Sequence, residues 1–201
     1  FSLTGKALTD VNLVTDGANA DTISGTDTIK NVNVTATGDA NVTLEKMNKL
    51  ENVTVAGAGA VAVDLTVVDS VKSVDASANA GGVTVDLSGA REAVFKGGTG
   101  KDSITVNGSK AAHDLGDGDD TLTFNGALGE KGTVEGGEGT DTISVATANL
   151  NALTAEFKNG DITGFEVLSV SDSLKADINM DDFAGIDHLT LAGISTDVTV
   201  S

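Results

Sequence analysis

The sequence predicts an all-β chain, a right-handed parallel β-solenoid with coils of about 20 residues. Two periodicities carry that expectation. The first is a six-residue segment, aliphatic, charged, polar, Val, polar, apolar, seen at Ile29-Lys30-Asn31-Val32-Asn33-Val34, Leu50-Glu51-Asn52-Val53-Thr54-Val55 and Val71-Lys72-Ser73-Val74-Asp75-Ala76, in steps of 21 residues. Between these lie Asn41-Val42-Thr43-Leu44, Ala62-Val63-Asp64-Leu65 and Thr84-Val85-Asp86-Leu87, spaced by 21 and 22 residues. Two short alternating strands per repeat at a fixed period argue for stacked coils, since separate hairpins would not hold that spacing. The second periodicity is a nine-residue template, Gly-Gly-x-Gly-x-Asp followed by a residue, an aliphatic and a residue. It is complete at residues 97–105 and 136–144, and residues 115–123 depart from it only in having Leu115 for the first Gly.

Taken in order, residues 1–28 read as irregular strands and turns. Gly17-Ala18-Asn19-Ala20-Asp21-Thr22-Ile23-Ser24 echoes the nine-residue unit with Ala in place of glycines, which predicts a retained strand, and Asp21 as a turn residue. The 21-residue repeat occupies the next stretch. Ala90-Arg91-Glu92-Ala93-Val94-Phe95 is a shifted copy of it that leads straight into the nine-residue units. Beyond them, Leu150, Leu153 and Phe157 have the 3–4 spacing of a short helix, though a long corner loop fits equally. The long repeat resumes at Phe165-Glu166-Val167-Leu168-Ser169-Val170 and Ile186-Asp187-His188-Leu189-Thr190-Leu191. Asp177-Ile178-Asn179-Met180 and Asp197-Val198-Thr199-Val200 read as the strands paired with it. All 201 residues are thus expected to form one solenoid, with residues 95–145 as distinct coils inside it. The chain opens on strand-like Phe1-Ser2-Leu3-Thr4 without a leader pattern, which reads as a segment of something larger.

Composition narrows the function. Thirty acidic and 12 basic residues give a formal net charge of −18, the wrong sign for nucleic acid or an anionic membrane surface. It suits a chain whose carboxylates are neutralised by cations. The chain has no Cys, Pro, Trp or Tyr, so thiol chemistry is absent and stability must come from packing or metal. No apolar run is long enough for a membrane span. Catalytic patterns are missing too. His113 and His188 each stand alone, and His113, in the degenerate stretch 106–114, reads as a surface residue. No Gly-x-Ser-x-Gly elbow occurs, and the Gly-rich turns lack the Lys-Ser/Thr of a phosphate loop. The chain is expected not to be an enzyme.

The nine-residue spacing suits calcium, a hard cation that takes 6–8 oxygen ligands. Glycines let a tight turn present backbone carbonyls, the Asp adds a carboxylate, and the aliphatic (Ile104, Leu122, Ile143) enters the core by strand alternation. Gly97 to Leu115 spans 18 residues, one coil of two nines, and Leu115 to Gly136 spans 21, one coil plus three inserted after Phe124. The loops should therefore stack on one edge.

These units resemble the calcium-binding repeats of the RTX proteins of bacteria. With its Asn-Val-Thr-Val and Val-Asp-Leu-Ser segments, the long repeat resembles the surface-layer (S-layer) proteins that Gram-negative bacteria export by type I secretion. The resemblance implies calcium between loops one coil apart, about two ions for three loops. Side-chain ligands would be Asp102, Asp120 and Asp141, and carbonyls would come from the turns at Gly97, Thr99, Gly100, Gly116, Gly118, Gly137 and Gly139. Asp117 and Glu138, at a variable position, are candidate extra ligands. It also implies a secreted, extracellular structural protein on the bacterial cell surface. Its partner would be further copies of itself in a lattice, with lipopolysaccharide contacts through other parts of the parent protein. An RTX adhesin or biofilm protein, or a β-roll accessory module of a secreted enzyme, are the alternatives.

Overall fold

A computed structural model describes residues 2–5, 7–17, 20–65, 68–195 and 198–201. The chain is a parallel β-solenoid of about nine turns of roughly 21 residues. Odd-numbered strands build one sheet: β1 (Asp10–Thr15), β3 (Asn31–Ala36), β5 (Asn52–Gly57), β7 (Ser73–Asn79), β9 (Val94–Lys96), β11 (Ala112–Asp114), β13 (Thr133–Glu135) and β15 (Ile162–Thr163). The other sheet holds β2 (Ala20–Ser24), β4 (Ala40–Glu45), β6 (Val61–Asp64), β8 (Val83–Asp86), β10 (Ser103–Val106), β12 (Thr121–Phe124), β14 (Thr142–Val145), β16 (Val167–Leu174) and β17 (His188–Ile194). Every strand pairs with its equivalent one coil away, as in Val32↔Val53↔Val74 and Ile104↔Leu122↔Ile143.

The alternation seen in the sequence fixes what each strand buries. Val32, Val34, Val53, Val55 and Val74 face Val42, Leu44, Val61, Val63 and Val85 across a thin aliphatic core, and all are buried. Each such side chain contributes about 1.5–3 kcal/mol of burial. The polar residues between them form ladders outside. Asn31 Nδ2 donates to Asp10 Oδ1 at 2.6 Å, Asn52 Nδ2 to Asn31 Oδ1 at 2.8 Å, and Asn33 Nδ2 to Asn12 Oδ1 at 2.9 Å.

Successive coils are joined along two edges. On one, short turns run from an odd strand into the next even strand; the nine-residue units lie here, at 97–102, 115–120 and 136–141. The opposite edge absorbs the irregular material. The three-residue insertion falls there, in the loop between β12 and β13, so it leaves the stacking of the glycine turns intact. The segment after β14 also lies there and is helical: α1 (Leu150–Asn159) buries Leu150, Leu153 and Phe157 and stops at Gly160 in the left-handed region (φ 77°). Phe157 meets Phe183 edge to face with centroids 5.3 Å apart. Glu156 Oε1 accepts the Leu128 amide at 2.9 Å and ties the helix to the inserted loop.

Several expectations are corrected. His113 is not a surface residue but lies 3% exposed inside β11, at the inward position between exposed Ala112 and Asp114. Its ring is buried because both nitrogens are engaged: Nδ1 accepts the Phe95 amide at 3.2 Å and Nε2 is 2.7 Å from Ser109 Oγ. Residues 177–180 are not a strand; only a single parallel bridge, Ile178↔Val200, forms there, followed by a 3-10 turn over Met180–Asp182 capped by the Asn179 side chain. Asp197 lies outside the described residues, as do Ala18 and Asn19 of the early glycine-like turn, whose strand β2 does form. The resumed repeats, β16 and β17, belong to the sheet of β14, not to that of β3, β5 and β7. Among the described residues, no helix is long and apolar enough to cross a membrane.

Candidate metal centre

The glycine turns stack in register. Asp117 and Glu138 form a parallel bridge, with the Gly118 amide donating to Glu138 O at 2.8 Å and the Glu138 amide to Gly116 O at 3.0 Å. Such close approach admits no side chain: a β-carbon at Gly137 (φ 108°) would collide with the Gly116 carbonyl, and one at Gly139 (φ 145°) with the Gly118 carbonyl. Gly116, Gly118, Gly137 and Gly139 are therefore required twice over, for a positive φ and for the spacing between coils, whereas Gly97, Gly98, Gly100 and Gly136 are required for the spacing alone.

The Asp residues that end each turn form a buried ladder. Asp102, Asp120 and Asp141 are 2%, 1% and 0% exposed. Asp120 Oδ1 accepts the Asp102 amide at 2.7 Å, and Asp141 Oδ1 accepts the Asp120 amide at 2.8 Å. Asp102 Oδ1 in turn accepts the Val83 amide at 2.6 Å, while its Oδ2 accepts the Gly98 amide at 3.0 Å. By strand register the same column holds Ala40, Val61 and Val83 in earlier coils, all buried and apolar. The column changes from aliphatic to acidic at Asp102, where the nine-residue units begin.

That ladder holds like charges in a shielded place. Burial pushes Asp102 above the usual carboxylate range. It pushes Asp120 up to about 7, helped by the neighbouring charges of Asp102, Asp141 and Asp119. Asp141 is also raised, by burial first and then by Glu166 and Asp119. Two carboxylate oxygens in the ladder, Asp120 Oδ2 and Asp141 Oδ2, are buried without any hydrogen-bond partner. An unpartnered buried polar atom costs about 1–3 kcal/mol, and more when charged.

The donors here are oxygens only, carboxylates and turn carbonyls. Among the described residues, no three His, Cys, Asp or Glu side chains gather as a metal-binding cluster. A cation here would thus lean on backbone carbonyls, which suits calcium and not zinc. The orphaned carboxylate oxygens, set among glycine turns whose carbonyls approach closely from coil to coil, fit a bound calcium ion.

The ligands expected from the sequence divide into two groups. Asp102, Asp120 and Asp141 come together, with Gly97, Gly100, Gly116, Gly118, Gly137 and Gly139 in the turns around them. Thr99 is exposed in the first of these turns. Asp117 and Glu138 are also exposed, side by side on the outer rim. Lys101 pairs with Asp119 at 2.7 Å on the surface.

Glu166 is one residue that the sequence reading did not single out. It directly precedes β16 as Asp141 precedes β14, and its Oε2 accepts the Asp141 amide at 2.8 Å, making a fourth rung. Its turn, residues 164–166, has half the length of the nine-residue turns and lacks their template. The available signal was an acid directly before an alternating Val167-Leu168-Ser169-Val170 strand. Compared with known proteins, the chain matches no family model and no curated protein.

Proposed function

We propose that this chain is a calcium-ordered structural segment of a bacterial surface layer, secreted by the type I route and assembling with copies of itself outside the cell. The observation that carries this reading is the ladder of buried carboxylates within stacked glycine turns, in which Asp120 Oδ2, between two other acids, is buried without a partner. Asp102, Asp120 and Asp141, with turn carbonyls, would hold about two ions in the gaps between the three loops. Bound calcium supplies positive charge to a column of buried carboxylates. Without it the ladder acids repel one another and the coils that carry them loosen. Binding to the folded form alone pulls the equilibrium toward it, so a chain loose in a calcium-poor cell interior orders outside. Extracellular modules commonly bind at about 10⁻⁴–10⁻³ M, which matches this use.

The same reading makes the chain non-catalytic. His113 is sealed in the core with both nitrogens engaged, and His188 lies on the exposed β17 beside Asp187. The surface-layer assignment rests on the resemblance of the repeats, and the calcium assignment on the ladder.

The test is a calcium titration of chelated protein, followed by circular dichroism and by light scattering after size exclusion. The β signal should rise with calcium, reverse on chelation, and be accompanied by oligomers over the same range. A fully folded, monomeric protein in chelator overturns the metal-coupled reading. Calcium-dependent folding that stays monomeric at all concentrations removes the coat and favours the adhesin.

A further inference from the structure

We propose a third cation site, between the turn 136–141 and the shorter turn 164–166, held by Asp141 Oδ2, the Gly164 carbonyl and the Glu166 carboxylate. It rests on the calcium reading of the stacked loops and adds a site that the nine-residue template does not reach. Three glycine loops leave two gaps between them, but the acid ladder has four rungs, and the fourth encloses one more gap.

The direction of Asp141 supports this. Its Oδ1 points back along the solenoid, to the Asp120 amide. Its Oδ2 points forward. A β-carbon at Gly136 would stand 2.8 Å from Asp141 Oδ2 and would also collide with the Gly164 carbonyl oxygen, so both oxygens lie close to one point beside Gly136, where the following coil approaches. The first gap repeats the arrangement, because a β-carbon at Gly97 would stand 2.5 Å from Asp102 Oδ2 and collide with the Leu115 carbonyl. There, however, Asp102 Oδ2 already accepts the Gly98 amide. In the third gap Asp141 Oδ2 has no donor, and Asp141 is fully buried. Among the described residues no backbone amide donates to the Gly164 carbonyl either.

Charge points the same way. Glu166 binds the Asp141 amide through Oε2, which brings a second carboxylate against the first. No Lys or Arg pairs with either acid among the described residues. Two carboxylates and a free carbonyl, all oxygen, form the start of a calcium shell that water can complete.

Ions bound per chain at saturating calcium, counted by equilibrium dialysis with metal analysis, test the site on the whole chain. The wild type should bind three ions. Glu166→Gln keeps an acceptor for the Asp141 amide but removes the charge, and it should bind two, with an unchanged circular dichroism spectrum in calcium. A wild-type count of two, or a count of three in both proteins, overturns the third site and leaves the loop reading standing. A wild-type count of zero overturns both. The wild-type count does not depend on how the variant folds.

Discussion

Asp120 carries more of the ladder than any other side chain, because it borders two gaps and sits between two other buried acids. Asp120→Ala removes the acceptor of the Asp102 amide and one carboxylate from both gaps. A charge-assisted hydrogen bond is worth about 1.5–3 kcal/mol, so the calcium midpoint for folding should rise by about tenfold or more. Asp117→Ala, at an exposed position of the same turn, should shift it little. Equal midpoints for the two variants in a dichroism titration would overturn the stacked-loop arrangement. His113 belongs to the same scale. Burial depresses it to about 4, and its Nδ1 accepts an amide, so the neutral ring carries its proton on Nε2, toward Ser109 Oγ. A base depressed in the folded state stabilises fully above its ordinary value near 6.5, and that contribution, about 3 kcal/mol, is lost as pH falls toward 4. Nitrogen-detected NMR of the ring should show the neutral tautomer until near pH 4. Titration at 6.5 would mean that the ring is not sealed in.

Within a single turn, the glycines and acids make opposite demands. The glycines permit the close stacking that buries the acids, and the burial is what raises them. Gly137→Ala must move the Gly116 carbonyl and force an unfavourable φ, costing about 1–3 kcal/mol for the backbone alone. Gly89→Ala meets nothing within 4 Å and should be close to neutral, as urea unfolding in calcium will check. The ladder also fixes a pH dependence, opposite in sign to that of His113. An acid raised in the folded state stabilises fully below its unfolded value near 4 and loses that contribution as pH rises through its folded value, about 7 for Asp120. Calcium-free protein should therefore weaken between about pH 4 and 7, and the stabilisation gained from calcium should grow over the same interval. A calcium increment that is flat with pH would show that the ladder acids are already ionised at pH 5.

At the scale of the whole molecule, the solenoid was legible because its signal is repeated. Each 21-residue step offers two alternating strands, and errors in one coil are corrected by its neighbours in register. What was not legible sits where the repeat changes length. Glu166 lies in a turn shortened to three residues, and the 177–180 segment alternates like a strand but gains only one bridge. The burial of His113 is hidden for a related reason: the three-residue strand Ala112-His113-Asp114 offers no large apolar residue to mark its inward face. The column ending the edge turns divides the molecule in two. Ala40, Val61 and Val83 need no cation, whereas Asp102, Asp120, Asp141 and Glu166 gather charge. Because each coil contacts only its neighbours, stability is close to a sum over coils and need not be lost all at once. In chelator, amide hydrogen exchange should stay slow over β3–β8 and become fast from β10 to β14. Calcium should restore protection there, with little change in the earlier coils. Uniform loss across both halves would mean that the aliphatic coils cannot stand without the acidic ones, and uniform protection in chelator would mean that the ladder is satisfied by protons instead of metal.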